Sequence, residues 1–400
     1  MLSKAIPRRE IYIIPEEFKY LIESLRSDNE DLWITKFEEK ISRYLGAKYA
    51  FSTPSGRKGL EVILKVLDLN PDDEVIIPAY TLKDLINIIQ TLNLKAVPVD
   101  IDPHSFNLSP HAVKSKISSR TRVILATHLF GLPCEIEEII DIALKRSIFV
   151  IEDCAHAIGS EYKDKKVGTF GIASFFSFDT IKLVNTYGGG MIVTDDDGIA
   201  FRIKEELKKL NFIPQVPFKK FVSALLEYIL SFTPMYFIPL ALLAGDKTGP
   251  KMYSLYRKAQ EKSAPRGGLS GFQARVGIKK LETLCERIEQ RKKLTEIYKE
   301  GLKHKIDFQS SFSKVKPNYY FLVGKIRKRV DIEDLRRRLL LRGIDVGIKS
   351  EIADNCGEYL DVQDCKIASE VYNNAIQLPL HEDLRIRDVK YIIQMLEKFL

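Results

Sequence analysis

Four short apolar runs in the first half of the chain decide its fold: VILATHLFG (Val123–Gly131), IFVIED (Ile148–Asp153), SFFSF (Ser174–Phe178) and GMIVTD (Gly190–Asp195). None of them alternates apolar with polar residues, which is typical of strands buried on both faces of a sheet. Stretches with apolar residues three or four apart lie between several of the runs, as expected for covering helices. Two similar runs lie upstream, EVIIPAY (Glu74–Tyr80) and KAVPVD (Lys95–Asp100). The pattern predicts an α/β fold with a mostly parallel sheet.

The sequence changes character after about Gly268. A long stretch with apolar residues at helical spacing is followed by a strand-like run, YYFLVGKI, and by the helical pattern DIEDLRRRLLLRG, which we expect to end at Gly343. These elements predict a smaller α+β domain. We therefore expect a large α/β domain over residues 1–210, a variable apolar insertion over 211–266, and the small C-terminal domain over 267–400.

The composition is that of an ordinary globular protein. Its 400 residues are 45% hydrophobic and 29% charged, which excludes a disordered or collagen-like chain. The net charge is +8, but the basic residues are scattered. Because they form no dense block of Lys and Arg, the sequence does not predict binding to nucleic acid. The five Cys are widely spaced without a CxxC pair, so neither a disulfide framework nor a metal site is predicted. The N-terminal residues contain no continuous apolar run after their charges, so we expect no signal peptide and a cytoplasmic protein.

The segment FVSALLEYILSFTPMYFIPLALLA (Phe221–Ala244) is unusually apolar, because 18 of its 24 residues are apolar and Glu227 is its only charge. Pro234 and Pro239 interrupt it, which argues against a single membrane-spanning helix and predicts two shorter helical pieces. Two interpretations remain open. The pieces are either buried in the core or in a subunit interface, or they form a hydrophobic hairpin that dips into a membrane surface.

Polar residues stand at or just after predicted strand ends, which is where parallel sheets bind their ligands. Asp153 closes IFVIED with His156 close behind, Ser177 lies in SFFSF with Lys182 five residues on, and Ser55–Gly56 precedes a helical run. Such a set could serve pyridoxal phosphate. That cofactor requires a lysine for its aldehyde, a carboxylate for its ring nitrogen, and hydroxyls and helix N-terminal amides for its phosphate. Taken alone, however, such a lysine is more often a solvated loop residue, and such an aspartate is often a helix cap or turn residue.

A series of motifs extends along most of the chain: WITKFEEKISRYLGAKYAFSTPSG, DEVIIPAYT, AVPVDIDPHSFNL, TRVILATHLFG, IEDCAHAIGS, SFFSFDTIKLVNTYGGGMI, GLSGFQARVGIKKLETL, RGIDVG and QLPLHEDL. In this order they resemble the DegT/DnrJ/EryC1/StrS family of pyridoxal-phosphate-dependent sugar aminotransferases. The resemblance implies the type I fold of pyridoxal-phosphate-dependent transferases and a homodimer with shared active sites. It is weakest between Asn211 and Arg266.

The resemblance also implies roles for individual residues. Lys182 would form the Schiff base with the cofactor and then shuttle a proton, and Asp153 would pair with the pyridine nitrogen. His156 would lie near the hydroxyl group of the ring. Ser177 would bind the phosphate beside the Ser55–Gly56 backbone.

Four positions depart from the family pattern. Arg57 replaces a Thr, Leu82 replaces an aromatic residue that stacks on the cofactor, and Gly188 replaces a Glu. Arg266 stands where the family has an Asn that reaches the phosphate of the partner subunit. We expect Arg57 and Arg266 to supply the missing phosphate donors, with exposure of both to solvent as the alternative. His128 matches a motif histidine, and a histidine of the core is an equal alternative.

These observations lead us to expect an aminotransferase that moves an amino group, from glutamate, onto a nucleotide-linked keto-sugar. Some relatives carry His in place of the Schiff-base lysine and act as dehydratases, and Lys182 argues against that branch. Two alternatives remain open. One is a membrane-proximal aminotransferase that acts on a lipid-linked substrate. The other is a non-catalytic binding or regulatory protein on this scaffold, which would explain the changes at Arg57, Leu82 and Gly188.

Overall fold

The computed structural model describes residues 5–24, 29–231, 236–245, 267–311 and 313–400. Its largest sheet comprises seven strands: β1 (Tyr49–Thr53), β2 (Glu74–Pro78), β4 (Lys95–Val99), β5 (Thr121–Thr127), β6 (Phe149–Asp153), β9 (Ala173–Ser177) and β10 (Gly190–Thr194). Their order across the sheet is β1-β10-β9-β6-β5-β2-β4. Strands β4, β2, β5, β6 and β9 are parallel, while β10 runs antiparallel to β9 and to β1. The predicted α/β fold with a mostly parallel sheet is confirmed.

Helices cover both faces of this sheet, because its strands are apolar on both sides. Val150 and Ile151 are neighbours in β6 but belong to two different apolar cores, one on each face. The helices of this half of the chain are α1 (Glu16–Ser24), α2 (Glu30–Leu45), α3 (Gly56–Val66), α4 (Asp84–Thr91), α5 (Pro110–Lys116), α6 (Ile136–Leu144) and α7 (Asp197–Leu210).

The C-terminal part contains a four-stranded antiparallel sheet, as the predicted α+β domain requires. The long helical pattern after Gly268 forms two helices instead of one, because the backbone of Thr283 ends the first and begins the second. The elements are α10 (Gly271–Glu282), α11 (Leu284–Leu302), β11 (Ile306–Phe308), β13 (Leu322–Ile326), α12 (Ile332–Leu340), β14 (Gly347–Ile348), α13 (Cys356–Tyr359), α14 (Lys366–Asn374), β16 (Ala375–Leu378) and α15 (Ile386–Phe399).

Contacts between distant segments tie the two halves together. Two of them are β-sheet pairs: β3 (Tyr80–Thr81) with β15 (Asp354–Asn355), and β12 (Val315–Lys316) with β7 (Glu161–Tyr162), which also pairs with β8 (Lys165–Lys166). Near the N-terminus, Arg8 forms ion pairs with Asp345 (3.4 Å) and Glu351 (2.6 Å). Helix α10, from the C-terminal part, packs on α1 and α2. The three-part division of the chain remains a prediction.

The apolar segment forms two helices, α8 (Phe218–Ser231) and α9 (Phe237–Leu243), in agreement with the predicted interruption. Helix α8 buries Phe221 against Tyr187 and Phe272. Helix α9 buries Leu240 in a small core that includes Ala5. Among the helices that the structure describes, none has both the length and the apolar character needed to cross a membrane.

Candidate active site

Lys182 lies in the loop that connects β9 to β10, at the edge of the sheet where the parallel strands end. Its backbone amide donates to the carbonyl of Asp179 (2.9 Å), and its side-chain nitrogen lies 4.8 Å from the centre of the Tyr320 ring. Burial lowers the pKa of Lys182 to about 8, although the negative charges of Asp153 and Asp179 act in the opposite direction. Near neutral pH, a substantial fraction of the molecules therefore carry the Lys182 side chain as a neutral, nucleophilic amine.

Asp153 is the last residue of β6 and interacts electrostatically with Lys182. Parallel pairing places it level with Thr127 of β5 and Phe175 of β9. Its Oδ1 accepts the amide of Ala155 (3.0 Å). Burial raises the pKa of Asp153, while this amide and the charge of Lys182 oppose the rise. A buried carboxylate in this position is stabilised when a cationic group faces it.

His156 is held in one neutral form. The amide of Phe130 donates to its Nδ1 (3.3 Å), so the ring proton lies on Nε2. Burial and the neighbouring charge of Lys182 hold the pKa of His156 well below its ordinary value. The ring stacks on Tyr320, with 4.5 Å between the ring centres. His156 can therefore donate a hydrogen bond from Nε2 without carrying a charge.

The first turn of α3 lies against the end of β9. A Cβ atom on Gly56 would lie 3.1 Å from the carbonyl oxygen of Phe176 and 3.1 Å from Cβ of Ser177, so this close approach favours glycine. Ser55 caps the helix, and its Oγ accepts the amide of Lys58 (3.2 Å). The backbone N–H groups of a first helical turn have no hydrogen-bond acceptor within the helix itself. Together with the Ser177 hydroxyl, they form the kind of cradle that binds a phosphate.

The structure locates three of the four departures from the family pattern. Arg57 forms an ion pair with Asp84 (2.5 Å), which joins the first turns of α3 and α4. Leu82 lies just before α4 and is 39% exposed. Gly188 has a φ of 137°, a conformation that favours glycine and would strain the family's glutamate. Arg266 lies outside the described residues, so its predicted role in phosphate binding remains a prediction.

Two residues of the C-terminal part complete the site, and the sequence did not single them out. Tyr320 contacts both Lys182 and His156 through its ring. Asn318 donates from its side-chain amide to the carbonyls of His156 (2.9 Å) and Ile158 (2.9 Å), which fixes the backbone around the histidine. The NYYF sequence that carries both was the available signal, but its pattern indicated only the start of a strand.

Besides Arg57, two cations from other segments lie near the loop that carries Lys182. Lys220, in the first turn of α8, forms an ion pair with Asp179 (2.9 Å). Burial alone would raise the pKa of Asp179, but Lys220, the backbone amide of Thr180 and Lys182 together lower it. Arg9, from the N-terminal segment, disfavours the charged form of Lys182. Helix α8 and the N-terminal segment therefore both lie close to the loop that carries Lys182.

His128 is a residue of the core. It is fully buried, its Nε2 lies 3.0 Å from Glu152, and its Nδ1 accepts the amide of Cys134 (3.1 Å). Its ligand atoms lie within 4.8 Å of those of Glu152 and Cys154, a spacing compatible with a metal ion. The carboxylate of Glu152 already accepts three backbone amides, those of Gly168, Phe170 and Gly171. The cluster is thus explained by hydrogen bonding alone.

The residues present fit pyridoxal phosphate. Asp153 supplies a buried carboxylate for a ring nitrogen, and Lys182 supplies an amine of lowered pKa beside it. The cradle formed by Gly56 and Ser177 could hold a phosphate, and the neutral His156 could donate to a ring oxygen. This donor set was predicted from the sequence, and the structure brings its members together.

Comparisons with known proteins identify relatives of this chain by sequence. GDP-perosamine synthase of Escherichia coli O157:H7 is 38% identical over 196 residues, which are 48% of this chain and 54% of that protein. An uncharacterized protein of Methanocaldococcus jannaschii is 40% identical over 214 residues, covering 52% and 54% of the two chains. These matches span about half the length of the curated relatives.

Similarity of structure and of sequence extends much further along the chain. The structure of Helicobacter pylori PseC, an aminotransferase involved in the biosynthesis of pseudoaminic acid, has a TM-score of 0.79 at 20% identity and covers 99% of both chains. That match shows the fold. The sequence model of the DegT/DnrJ/EryC1/StrS aminotransferase family matches residues 12–228 and 246–397. This chain therefore belongs to the DegT/DnrJ/EryC1/StrS aminotransferase family.

Proposed function

We propose that this protein is a pyridoxal-phosphate-dependent aminotransferase that transfers an amino group from glutamate to a nucleotide-linked keto-sugar. One observation carries the proposal: a buried lysine with a pKa of about 8, Lys182, lies in electrostatic contact with a buried carboxylate, Asp153, at the edge of the sheet where the parallel strands end. A lowered pKa alone would not distinguish Lys182 from a buried structural lysine; its position at the ligand-binding edge of a parallel sheet, beside a strand-end carboxylate, does.

When bound, pyridoxal phosphate supplies an aldehyde for an amine to attack and a ring that delocalises the electron pair of the bond that breaks. Lys182 has two tasks in this scheme. Its neutral Nζ is the nucleophile that anchors the cofactor, and once released it accepts a proton from one carbon and returns it to another. A pKa of about 8 suits both tasks, because the amine can gain and lose a proton near neutral pH.

The surrounding residues orient the cofactor and keep its charges paired. Asp153 would pair with the ring nitrogen and keep it protonated, which would relieve the cost of burying the carboxylate. His156 would donate from Nε2 to the ring oxygen, since its Nδ1 already accepts the amide of Phe130. Ser177 and the first amides of α3 would bind the phosphate, with the guanidinium of Arg57, paired with Asp84, in the same helical turn.

The substrate class rests on the relatives and on local charge. A relative that is 38% identical over half of this chain is named GDP-perosamine synthase, which supports a nucleotide-linked sugar as the amino acceptor. Arg9 and Arg57 lie near Lys182 and would attract a diphosphate. We also propose the homodimer with shared sites that the family resemblance implies; sedimentation analysis tests it directly.

The alternative of a non-catalytic protein on this scaffold rests on the altered positions 57, 82 and 188. Arg57 forms an ion pair with Asp84, and Gly188 has a backbone conformation that favours glycine. Neither change removes Lys182 or Asp153 from the site. The geometry therefore favours an enzyme. A protein without catalytic function would bind no cofactor covalently and would transfer no amino group from glutamate.

The decisive experiment is titration of the protein with pyridoxal phosphate, followed by visible absorbance, for wild type and Lys182→Ala. Reduction with borohydride then makes the bond between cofactor and lysine permanent, and peptide mass spectrometry identifies the modified residue. Lys280 is an internal control, because burial lowers its pKa to about 8 as well, yet it forms an ion pair with Glu17 (2.7 Å). We expect modification at Lys182 and not at Lys280. Modification elsewhere, or equal absorbance in Lys182→Ala, would contradict the proposal.

A further inference from the structure

The solvent-facing sides of α8 and α9 expose several large apolar side chains, interspersed on α8 with Lys219, Ser223 and Glu227. On α8 the exposed side chains follow helical spacing, and on α9 two more lie one turn apart; they are Phe218, Leu226, Ile229 and Leu230 of α8, and Ile238 and Leu242 of α9. The opposite faces are already packed, α8 through Phe221 and α9 through Leu240. Both helices pack over the N-terminal segment, α8 near Ile11 and α9 near Ala5. We call this exposed set the apolar face.

The charge of the surrounding sequence is strongly positive. Residues 211–266 contain eight Lys or Arg and three Asp or Glu, so this seventh of the chain carries +5 of its net charge of +8. Two copies of such a segment would repel each other, and lysines are depleted from the centres of protein interfaces. An apolar helix face within a basic stretch of sequence is instead typical of helices that lie in the surface of an anionic bilayer.

The apolar face is connected to the candidate active site. The first turn of α8 contains both the exposed Phe218 and Lys220, and Lys220 pairs with Asp179 in the loop that carries Lys182. A bilayer under α8 would therefore lie close to the loop that carries Lys182.

We infer that α8 and α9 dock this protein reversibly on an anionic lipid bilayer through the apolar face. The docking is a property of this surface and requires neither cofactor nor catalysis. Its failure in an experiment would thus leave the proposed aminotransferase untouched, and loss of aminotransferase activity would not contradict the docking.

The test is co-sedimentation of the full chain with two kinds of vesicle, phosphatidylcholine alone and phosphatidylcholine with about 30% phosphatidylglycerol. We expect binding to the anionic vesicles that weakens at high salt. Phe218→Gln with Leu226→Gln should reduce partitioning about tenfold or more, since each exposed apolar side chain contributes its transfer energy. Ile238→Gln with Leu242→Gln on α9 is a second variant, in case the first folds poorly.

Leu144→Gln with Phe201→Gln is the matched control, because it removes the same residue types from exposed positions on α6 and α7. We expect this control to bind vesicles like the wild type. Absence of binding to anionic vesicles, or equal loss in the control, would overturn the inference. It would also be overturned if the α8 variant converted a dimer into a monomer in sedimentation velocity, since the face would then be an interface between two copies.

Discussion

Raising the pH should accelerate covalent capture of pyridoxal phosphate with a midpoint near pH 8, because only the neutral amine of Lys182 attacks the aldehyde. The structural cause is burial of the side chain, which disfavours the ammonium form. The carboxylates of Asp153 and Asp179 favour that form and keep the pKa from falling further. The sign is therefore fixed: the rate increases with pH and levels off above the midpoint.

The magnitude follows from the pKa. A fall from 10.5 to about 8 corresponds to about 3 kcal/mol of lost stabilisation of the ammonium form. At about pH 7.5, roughly a quarter of the molecules would carry a neutral amine, against about one in a thousand for a lysine of ordinary pKa. The reactive form should thus be about two hundred times more abundant than in an exposed lysine.

Stopped-flow absorbance of wild type mixed with pyridoxal phosphate at a series of pH values measures this directly. Lys182→Ala should abolish the capture phase, which shows that the observed rate belongs to this residue. A midpoint near the ordinary lysine value would mean that water solvates the ammonium in the site, and it would refute burial as the cause of the lowered pKa. A midpoint near 8 that persists in Lys182→Ala would assign the reaction to another amine.

Three further predictions concern the cradle, the carboxylate and the core. Gly56→Ala should weaken cofactor affinity about tenfold in a fluorescence titration, because the new methyl group would press on Ser177 at 3.1 Å and displace the helix terminus. Asp153→Asn should weaken the same affinity about 10- to 100-fold, the typical worth of a hydrogen bond to a charged group; unchanged affinity would show that the carboxylate does not face the ring nitrogen. Lys280→Met should lower the free energy of unfolding by about 3–5 kcal/mol in chemical denaturation, because it leaves Glu17 fully buried without its cation. Adding Glu17→Gln to that variant should recover much of the loss.

The sequence predicted those site residues that lie at the end of a strand or within a few residues of it. Asp153 ends β6 and Ser177 ends β9, so the apolar runs that predicted the strands also predicted where these side chains meet. Lys182 follows within the same connection. The order of strands was not predictable from the runs, because a parallel pattern is compatible with several orders and the antiparallel β10 is as apolar as its neighbours.

Other features depend on tertiary contacts that no local pattern contains. Tyr320 stacks on His156 although the two residues are far apart in the sequence. The nearby pairing of β12 with β7 involves strands of only two residues, which are too short to be predicted from a sequence pattern. The prolines of the segment Phe221–Ala244 predict two short helical pieces but not which side of α8 is buried, since Phe221 and Leu226 have the same chemical character and opposite exposure. Periodicity likewise continued through Thr283, where the backbone ends one helix and begins the next.

The ionisation of Lys182 depends on at least three parts of the chain at once. The large sheet contributes Asp153, and the C-terminal part contributes the face of Tyr320, which attracts a cation at 4.8 Å. The N-terminal segment contributes Arg9, which acts in the opposite direction. Because Arg8 anchors that segment to the C-terminal part, a shift of the C-terminal part would move the Tyr320 ring and the Arg9 charge together. The pKa of the reactive amine is thus a property of the assembled fold, which is why the lysine motif by itself could not distinguish a nucleophile from a solvated loop residue.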